Sequence, residues 1–330
     1  MSRQTDLRFY SAADVTKVFD VDTAIESQRT AFRELGLGNA QLPARLLMDG
    51  AQDSASFCYA ARVSSTTGAV CKFGSVVPAN ADIGLPVISA LITVLDPHTG
   101  QPLAIMDGTT VTTLRTSAAG AVTAEYLARP GATDLAVIGS GVQAEAHIRS
   151  ICRLLPIERV RIWSPNAQNC SGLASRLGAE LGLDISAGSS AQQILIEAEI
   201  VVTCTTSMTP VLESAWLEPG TTVISIGSFA HNRFEVPDDL LPAAAAIVVD
   251  DIETSLEHAG PIVKAVKAGT ITVDQLIPFG AVVAGVVNAR TNNDEIIYAN
   301  SVGIGVQDAA AAWAIYLAAQ EMNLGVALEL

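Results

Sequence analysis

The sequence predicts an α/β protein built around a parallel sheet, and three observations carry that prediction. A short apolar run ends in a glycine turn and passes into a helix-compatible stretch at Asp134-Leu-Ala-Val-Ile-Gly139-Ser140-Gly141-Val142-Gln143-Ala144. Short apolar strands then alternate with helical stretches from 135 to 250, the rhythm of βαβ units whose strands are buried on both faces. Ahead of them, 55–108 reads as consecutive strands joined by turns, an antiparallel pattern.

Taken in order, residues 11–36 read as one helix, with Ser11 as N-cap and apolar positions at helical spacing. Strands are expected at 56–63, 70–77, 87–95 and 102–106, the last two joined in a hairpin by Asp96-Pro-His-Thr-Gly100. A long helix is expected over 110–128 and is stopped by Arg129-Pro130-Gly131. Beyond it come strands at 135–138, 160–163, 200–204, 222–226 and 246–250, with helices at 145–155 and 170–181 between them. An apolar helix, 306–322, closes the chain.

The glycine turn has a physical reading. Gly139 permits a tight turn, Gly141 lets a phosphate approach bare backbone, and small Ala144 lets helix and strand pack closely. The helix N-terminus then faces the pyrophosphate of a dinucleotide. Ligands of open parallel sheets bind beyond the carboxyl ends of the strands, here at Gly139, Ser164, Thr205, Gly227 and Asp250. Small polar residues also form ordinary loops, and each of these positions admits both readings.

Composition sets further bounds. The 330 residues are enough for two domains, and 49% hydrophobic with 16% charged residues describes a chain with a sizeable core. A formal net charge of −15 argues against nucleic acid or an anionic membrane as partner. Cys58, Cys71, Cys152, Cys170 and Cys204 contain no CxxC pair and read as free thiols of a reducing, cytoplasmic setting. His98, His147, His231 and His258 lack metal-ligand spacing, so no metal site is expected. No signal-like start or membrane-spanning run is expected either.

Three cations, Arg45, Lys72 and Arg115, precede the glycine turn. Lys72 lies within the apolar run Ala69-Val-Cys-Lys-Phe-Gly74; a strand lysine commonly faces solvent, and the competing reading is a cation beside a pocket. Arg115 sits in a helix nearly devoid of other charge and is the residue type that binds a carboxylate bidentately. Recognition of one substrate carboxylate would account for all three together; isolated surface charges would account for them separately.

These residues carry a resemblance. The chain resembles the ornithine cyclodeaminase and mu-crystallin family through Arg45, Lys72-Phe-Gly, Thr113-Leu-Arg-Thr-Ser-Ala-Ala119, Val137-Ile-Gly-Ser-Gly-Val-Gln-Ala144, Ile224-Ser-Ile-Gly227, Val248-Val-Asp250 and Ser301-Val-Gly-Ile-Gly-Val-Gln-Asp308, in family order over nearly the whole chain. The resemblance implies a substrate-binding and dimerisation domain of α+β type, residues 1–115 plus 300–330, with a Rossmann-type, doubly wound dinucleotide domain inserted at 116–299. It implies a homodimer that uses NAD or NADP on a small α-amino or α-imino acid. Carried over residue by residue, Arg45, Lys72 and Arg115 would meet the substrate carboxylate, with Lys72 nearest the reacting carbon and so the catalytic candidate. Thr116, Gly139, Ser140, Gly141, Val142, Gln143, Ser164, Asn166, Thr205, Gly227, Ser301 and Gly303 would line the cofactor. Asp308 admits a capping or interdomain role as well as a catalytic one.

Two departures from the family pattern matter. Ornithine cyclodeaminases carry an aspartate shortly after the Ile-Gly strand, aimed at the substrate amino group; here Phe229 stands at that position and no carboxylate appears before Glu235. An aromatic ring cannot accept from an ammonium as a carboxylate does, which disfavours cyclisation of ornithine. At the end of the second strand, Arg161-Ile-Trp-Ser164-Pro165-Asn166 has neither the acidic residue typical of NAD sites nor the arginine of NADP sites, and the reading leans to NAD. The expected function is therefore an NAD(P)H-dependent reductase of an α-imino acid of ketimine or iminosuccinate type, reversible as an amino-acid dehydrogenase, with Lys72, His231 or water as proton donor. A cyclodeaminase using bound NAD and a non-catalytic, crystallin-like nucleotide-binding protein are the rival readings.

Overall fold

A computed structural model describes residues 7–51 and 54–329. The chain divides into two compact units, one made of 1–115 with 304–330 and the other of 116–303. The helix Gly108–Leu127 runs through the first boundary. The second boundary falls after Gly303 rather than before Asn300, because Asn300 ends a strand of the parallel sheet and both Ser301 and Gly303 bond to Asp250 of that unit.

The discontinuous unit is a seven-stranded sheet in the order Val326–Leu328, Leu7–Tyr10, Pro102–Asp107, Ile88–Leu95, Val70–Val76, Ala55–Ala61, Leu46–Asp49. Its pairs are antiparallel except for Leu7–Tyr10 beside Pro102–Asp107, which is parallel. The alternation of strand side chains decides what each face carries. Tyr59, Lys72, Ile92 and Met106 lie in one register row, and Lys72, Ile92 and Met106 are buried. The neighbouring row, Leu46, Cys58, Phe73 and Leu91, points the other way, with Phe73 56% and Leu91 52% exposed. Lys72 is thus on the inner face at 1% exposure, and the solvent-facing reading of this strand lysine does not hold.

The expected single helix over 11–36 is two, Ala12–Val18 and Val21–Gly36. Ser11 caps the first in a reciprocal bond with Asp14. Buried Phe19 interrupts the helical backbone, and the Asp20 side chain accepts from the Thr23 N–H at 2.8 Å to start the second. The closing helix is Gly305–Glu321.

The continuous unit is an eight-stranded, all-parallel sheet in the order Leu276–Pro278, Ala246–Val249, Ile297–Asn300, Thr222–Ser225, Ile200–Thr203, Asp134–Ile138, Arg159–Trp163, Asp184–Ala187. Successive residues of Asp134–Ile138 and Ile200–Thr203 are all buried, so both faces of the sheet are covered. The strand Ile297–Asn300 and the helices Ile252–His258 and Gly260–Ala268 were not expected from the sequence. No helix among the described residues is long and apolar enough to cross a membrane.

Candidate active site

Within the discontinuous unit, strand, long helix and closing helix bring three charged groups together. The Lys72 Nζ lies 2.8 Å from both oxygens of Asp308 and donates to the Thr112 Oγ1 at 3.3 Å. The Arg115 Nε donates to Asp308 Oδ1 at 3.2 Å and its Nη1 to the Gln307 Oε1 at 3.1 Å. Gln307 also accepts from the Ile304 N–H at 2.8 Å, which anchors the first turn of the closing helix. Asp308 lies in that first turn, where the helix dipole favours an anion. All three charged side chains are buried.

Lys72 also lies over the Tyr59 ring at 4.8 Å and the Phe57 ring at 5.6 Å from their centroids. Arg45 is half-exposed; its Nη1 donates to the Tyr59 Oη at 3.2 Å and its guanidinium lies 5.6 Å from the same ring. Tyr59 therefore links Arg45 to Lys72. Burial holds the Lys72 ammonium down to a pKa of about 8, with Asp308 opposing that shift and Arg115 and Arg45 adding to it. Two buried cations share one carboxylate, so the cluster carries excess positive charge suited to an incoming anion.

Within the parallel unit, Gly139 has φ +130° and a side chain there would strike the Cys204 carbonyl, so only glycine fits this turn. Gly141 is the N-cap of the helix Val142–Leu154 and makes no side-chain cap bond, and a Cβ built on it meets nothing within 4 Å. Among the described residues no side chain caps the first N–H groups of this helix, the arrangement a pyrophosphate fits. The helix begins three residues earlier than expected because the glycine caps it. Val142 is exposed, and the buried Gln143 Oε1 has no hydrogen-bond partner.

The hydroxyls of Ser140 and Ser164 lie 2.8 Å apart. The Asn166 side chain accepts from the Asn169 N–H at 3.0 Å and caps the helix Ala167–Leu181, which therefore starts ahead of the expected residue 170. Ser301 Oγ and the Gly303 N–H both donate to Asp250 Oδ2, at 3.0 and 2.8 Å. Thr205 and Gly227 are tied to one acceptor, the carboxylate of Glu235. Thr116 follows Arg115 in the long helix. Phe229 has the Arg233 guanidinium 5.2 Å from its ring centroid, and His231 is exposed on the same loop.

Tyr59 and Thr112 join the cluster without any signal in the sequence, Asp308 takes a role that its position left open, and Glu235 stands in the sequence only as a distant carboxylate. For Asp308 the signal was present: Gln307-Asp308 is the sole polar pair in the apolar opening of the closing helix.

A family model, ornithine cyclodeaminase/mu-crystallin family, matches residues 6–323. The chain belongs to that family. Among solved structures, Thermococcus litoralis Δ(1)-pyrroline-2-carboxylate reductase in complex with NADH and L-proline is 31% identical with a TM-score of 0.93, covering 97% of this chain and 100% of that one. An archaeal alanine dehydrogenase dimer with bound NAD is also 31% identical, TM-score 0.93, covering 98% and 99%. The iminosuccinate reductase of Paracoccus denitrificans in complex with NAD+ is 26% identical, TM-score 0.91, covering 98% and 100%.

Proposed function

We propose that this family member is an NAD(P)H-dependent reductase of a small α-imino acid, reversible as an amino-acid dehydrogenase. The observation that carries the proposal is the buried Lys72–Asp308–Arg115 cluster, whose excess positive charge suits a substrate carboxylate. The three solved relatives, which act on imino or amino acids, support the same reading.

The uncapped helix N-terminus behind Gly139 and Gly141 fits the pyrophosphate, with Ser140, Val142 and Gln143 beside it. Ser164 and Asn166 take the adenosine side, and Thr116, Thr205, Gly227, Ser301 and Gly303 take the nicotinamide side. The bound nicotinamide supplies the hydride. Ser164-Pro165-Asn166 offers no cation for a 2′-phosphate, and the relatives are described with NADH or NAD+, which favours NAD over NADP.

The chain's own side chains do the rest. Arg45, Lys72 and Arg115 hold the carboxylate next to the C=N carbon, and Asp308 keeps Lys72 and Arg115 in place before substrate arrives. Reduction adds hydride to carbon and one proton to nitrogen. Lys72, whose pKa is drawn to about 8, is a competent donor near neutral pH. His231 is the weaker candidate, since its ring is exposed on its loop. The outward apolar row through Phe73 and Leu91 supports a homodimer formed on that sheet face, and the alanine dehydrogenase relative is itself a dimer.

The test is oxidation of NADH and of NADPH, followed with pyrruvate-derived imines (pyruvate plus ammonia or methylamine), pyrroline-2-carboxylate, piperideine-2-carboxylate and iminosuccinate. At least one should be reduced with NADH preferred. No turnover with any of them would overturn the proposal.

A further inference from the structure

Glu235 is fully buried, and six donors converge on its carboxylate. Oε1 accepts from the Thr205 N–H at 2.7 Å and the Thr205 hydroxyl at 2.9 Å. Oε2 accepts from the Thr203 hydroxyl at 2.8 Å, the Ser225 hydroxyl at 2.7 Å, the Gly227 N–H at 2.7 Å and the Ser228 hydroxyl at 3.4 Å. The Glu235 N–H in turn donates to Ser228 Oγ at 3.0 Å. These donors sit at and just beyond the carboxyl ends of two adjacent strands, Ile200–Thr203 and Thr222–Ser225.

We propose that Glu235 is a positioning residue for the nicotinamide side of the cofactor site, locking the segments that carry Thr205 and Gly227 at one spacing. The inference rests on the proposed function, which sets those two residues against the cofactor. Four of the donors are hydroxyls and can reverse their roles; the two backbone N–H groups cannot. One of them points at each oxygen, so only a carboxylate satisfies both. A glutamine of the same shape must aim its NH2 at Thr205 or at Gly227, leaving two donors facing each other in a buried site. Burial pushes the carboxyl's pKa up while these donors pull it down. With both oxygens engaged, Glu235 has no lone pair open for a substrate ammonium, so it does not replace the aspartate that Phe229 displaces.

The test compares wild type, Glu235→Gln and Thr203→Val by NADH fluorescence titration, by the KM for NADH and for the imino acid, and by Tm. Glu235→Gln should raise the KM for NADH roughly tenfold or more while the imino-acid KM at saturating NADH stays within about twofold. Thr203→Val keeps side-chain shape and removes one donor; it should shift NADH binding the same way by a smaller factor. A Glu235→Gln protein that melts earlier but binds NADH as wild type does would overturn the inference. If that variant does not fold, unchanged NADH affinity in Thr203→Val would overturn it. Wild-type protein that binds no NADH would instead sink the proposed function.

Discussion

Lys72 and Asp308, 236 residues apart in the chain, meet with the ammonium nitrogen 2.8 Å from each carboxylate oxygen. Arg115 holds the same carboxylate from its other neighbour element at 3.2 Å. One anion thus orders two cations in a buried pocket of charge, and what each group contributes can be separated by substitution.

Replacing Lys72 or Arg115 with Met should lower kcat/KM for the imino acid by at least on the order of 10²-fold, since a charge-assisted bond to the substrate carboxylate is lost. NADH affinity should barely change. A Lys72→Met enzyme with wild-type turnover on every active substrate would remove this residue from the site.

The pH profile gives a second handle on Lys72. Its pKa is drawn down to about 8, so the protonated fraction falls as pH rises through that value, and reductive kcat/KM should fall with it. Asp308 opposes the downward shift. Asp308→Asn removes that opposition and should move the basic limb to lower pH, a change visible in the pH dependence even if overall activity drops. A limb that stays in place would show that Lys72 is not the group titrating.

Gly141→Val should abolish dinucleotide binding and leave the fold intact. A Cβ at this position meets nothing within 4 Å, so the substitution costs the fold little, while it adds bulk at the N-cap where the pyrophosphate is proposed to approach bare backbone. Fluorescence titration with NADH and a melting curve read the two effects separately; undiminished binding would contradict the placement of the pyrophosphate.

His147 should set part of the acid stability. It is fully buried, its Nδ1 is 2.8 Å from the Gln143 carbonyl, and burial lowers its pKa to about 4. The unfolded chain takes up this proton near pH 6.5 and the folded chain only near pH 4, so stability is lost progressively as pH falls between the two. The full difference is roughly 3 kcal/mol. His147→Leu should flatten that part of the stability curve in denaturant titrations; an unaltered slope would assign the acid loss to other groups.

Local features were legible in the sequence, and long-range ones were not. The strand–glycine–helix segment around Gly139 and Gly141 could be read because period, turn and cap all lie within a dozen residues. The break between the first two helices was missed because Asp20 was not recognised as a cap inside a run of helical spacing. The four-residue strand Ile297–Asn300 was missed because it is short and inserts between Thr222–Ser225 and Ala246–Val249, far from its sequence neighbours. The three cations could be grouped around one substrate carboxylate, yet nothing in the sequence pattern says that Lys72 and Arg115 share Asp308. Glu235 was legible only as a carboxylate in the wrong place for ornithine chemistry; its donors come from 203 to 228 and meet it only in the fold.

Ornithine cyclisation requires oxidation to an imine, attack by the δ-amino group and loss of ammonia, with a carboxylate near the α-nitrogen to assist the proton movements. Phe229 stands in the sequence where those enzymes have the aspartate and carries the Arg233 guanidinium over its ring, and Glu235 is fully engaged elsewhere. Reduction of a preformed imine needs no such base. The direct measurement is cofactor stoichiometry, with ornithine and with imino acids in parallel. One NAD(P)H should be consumed per imino acid reduced, with no proline or ammonia formed from ornithine and catalytic NAD. Proline formation from ornithine at a rate matching imine reduction would instead make the protein a cyclodeaminase.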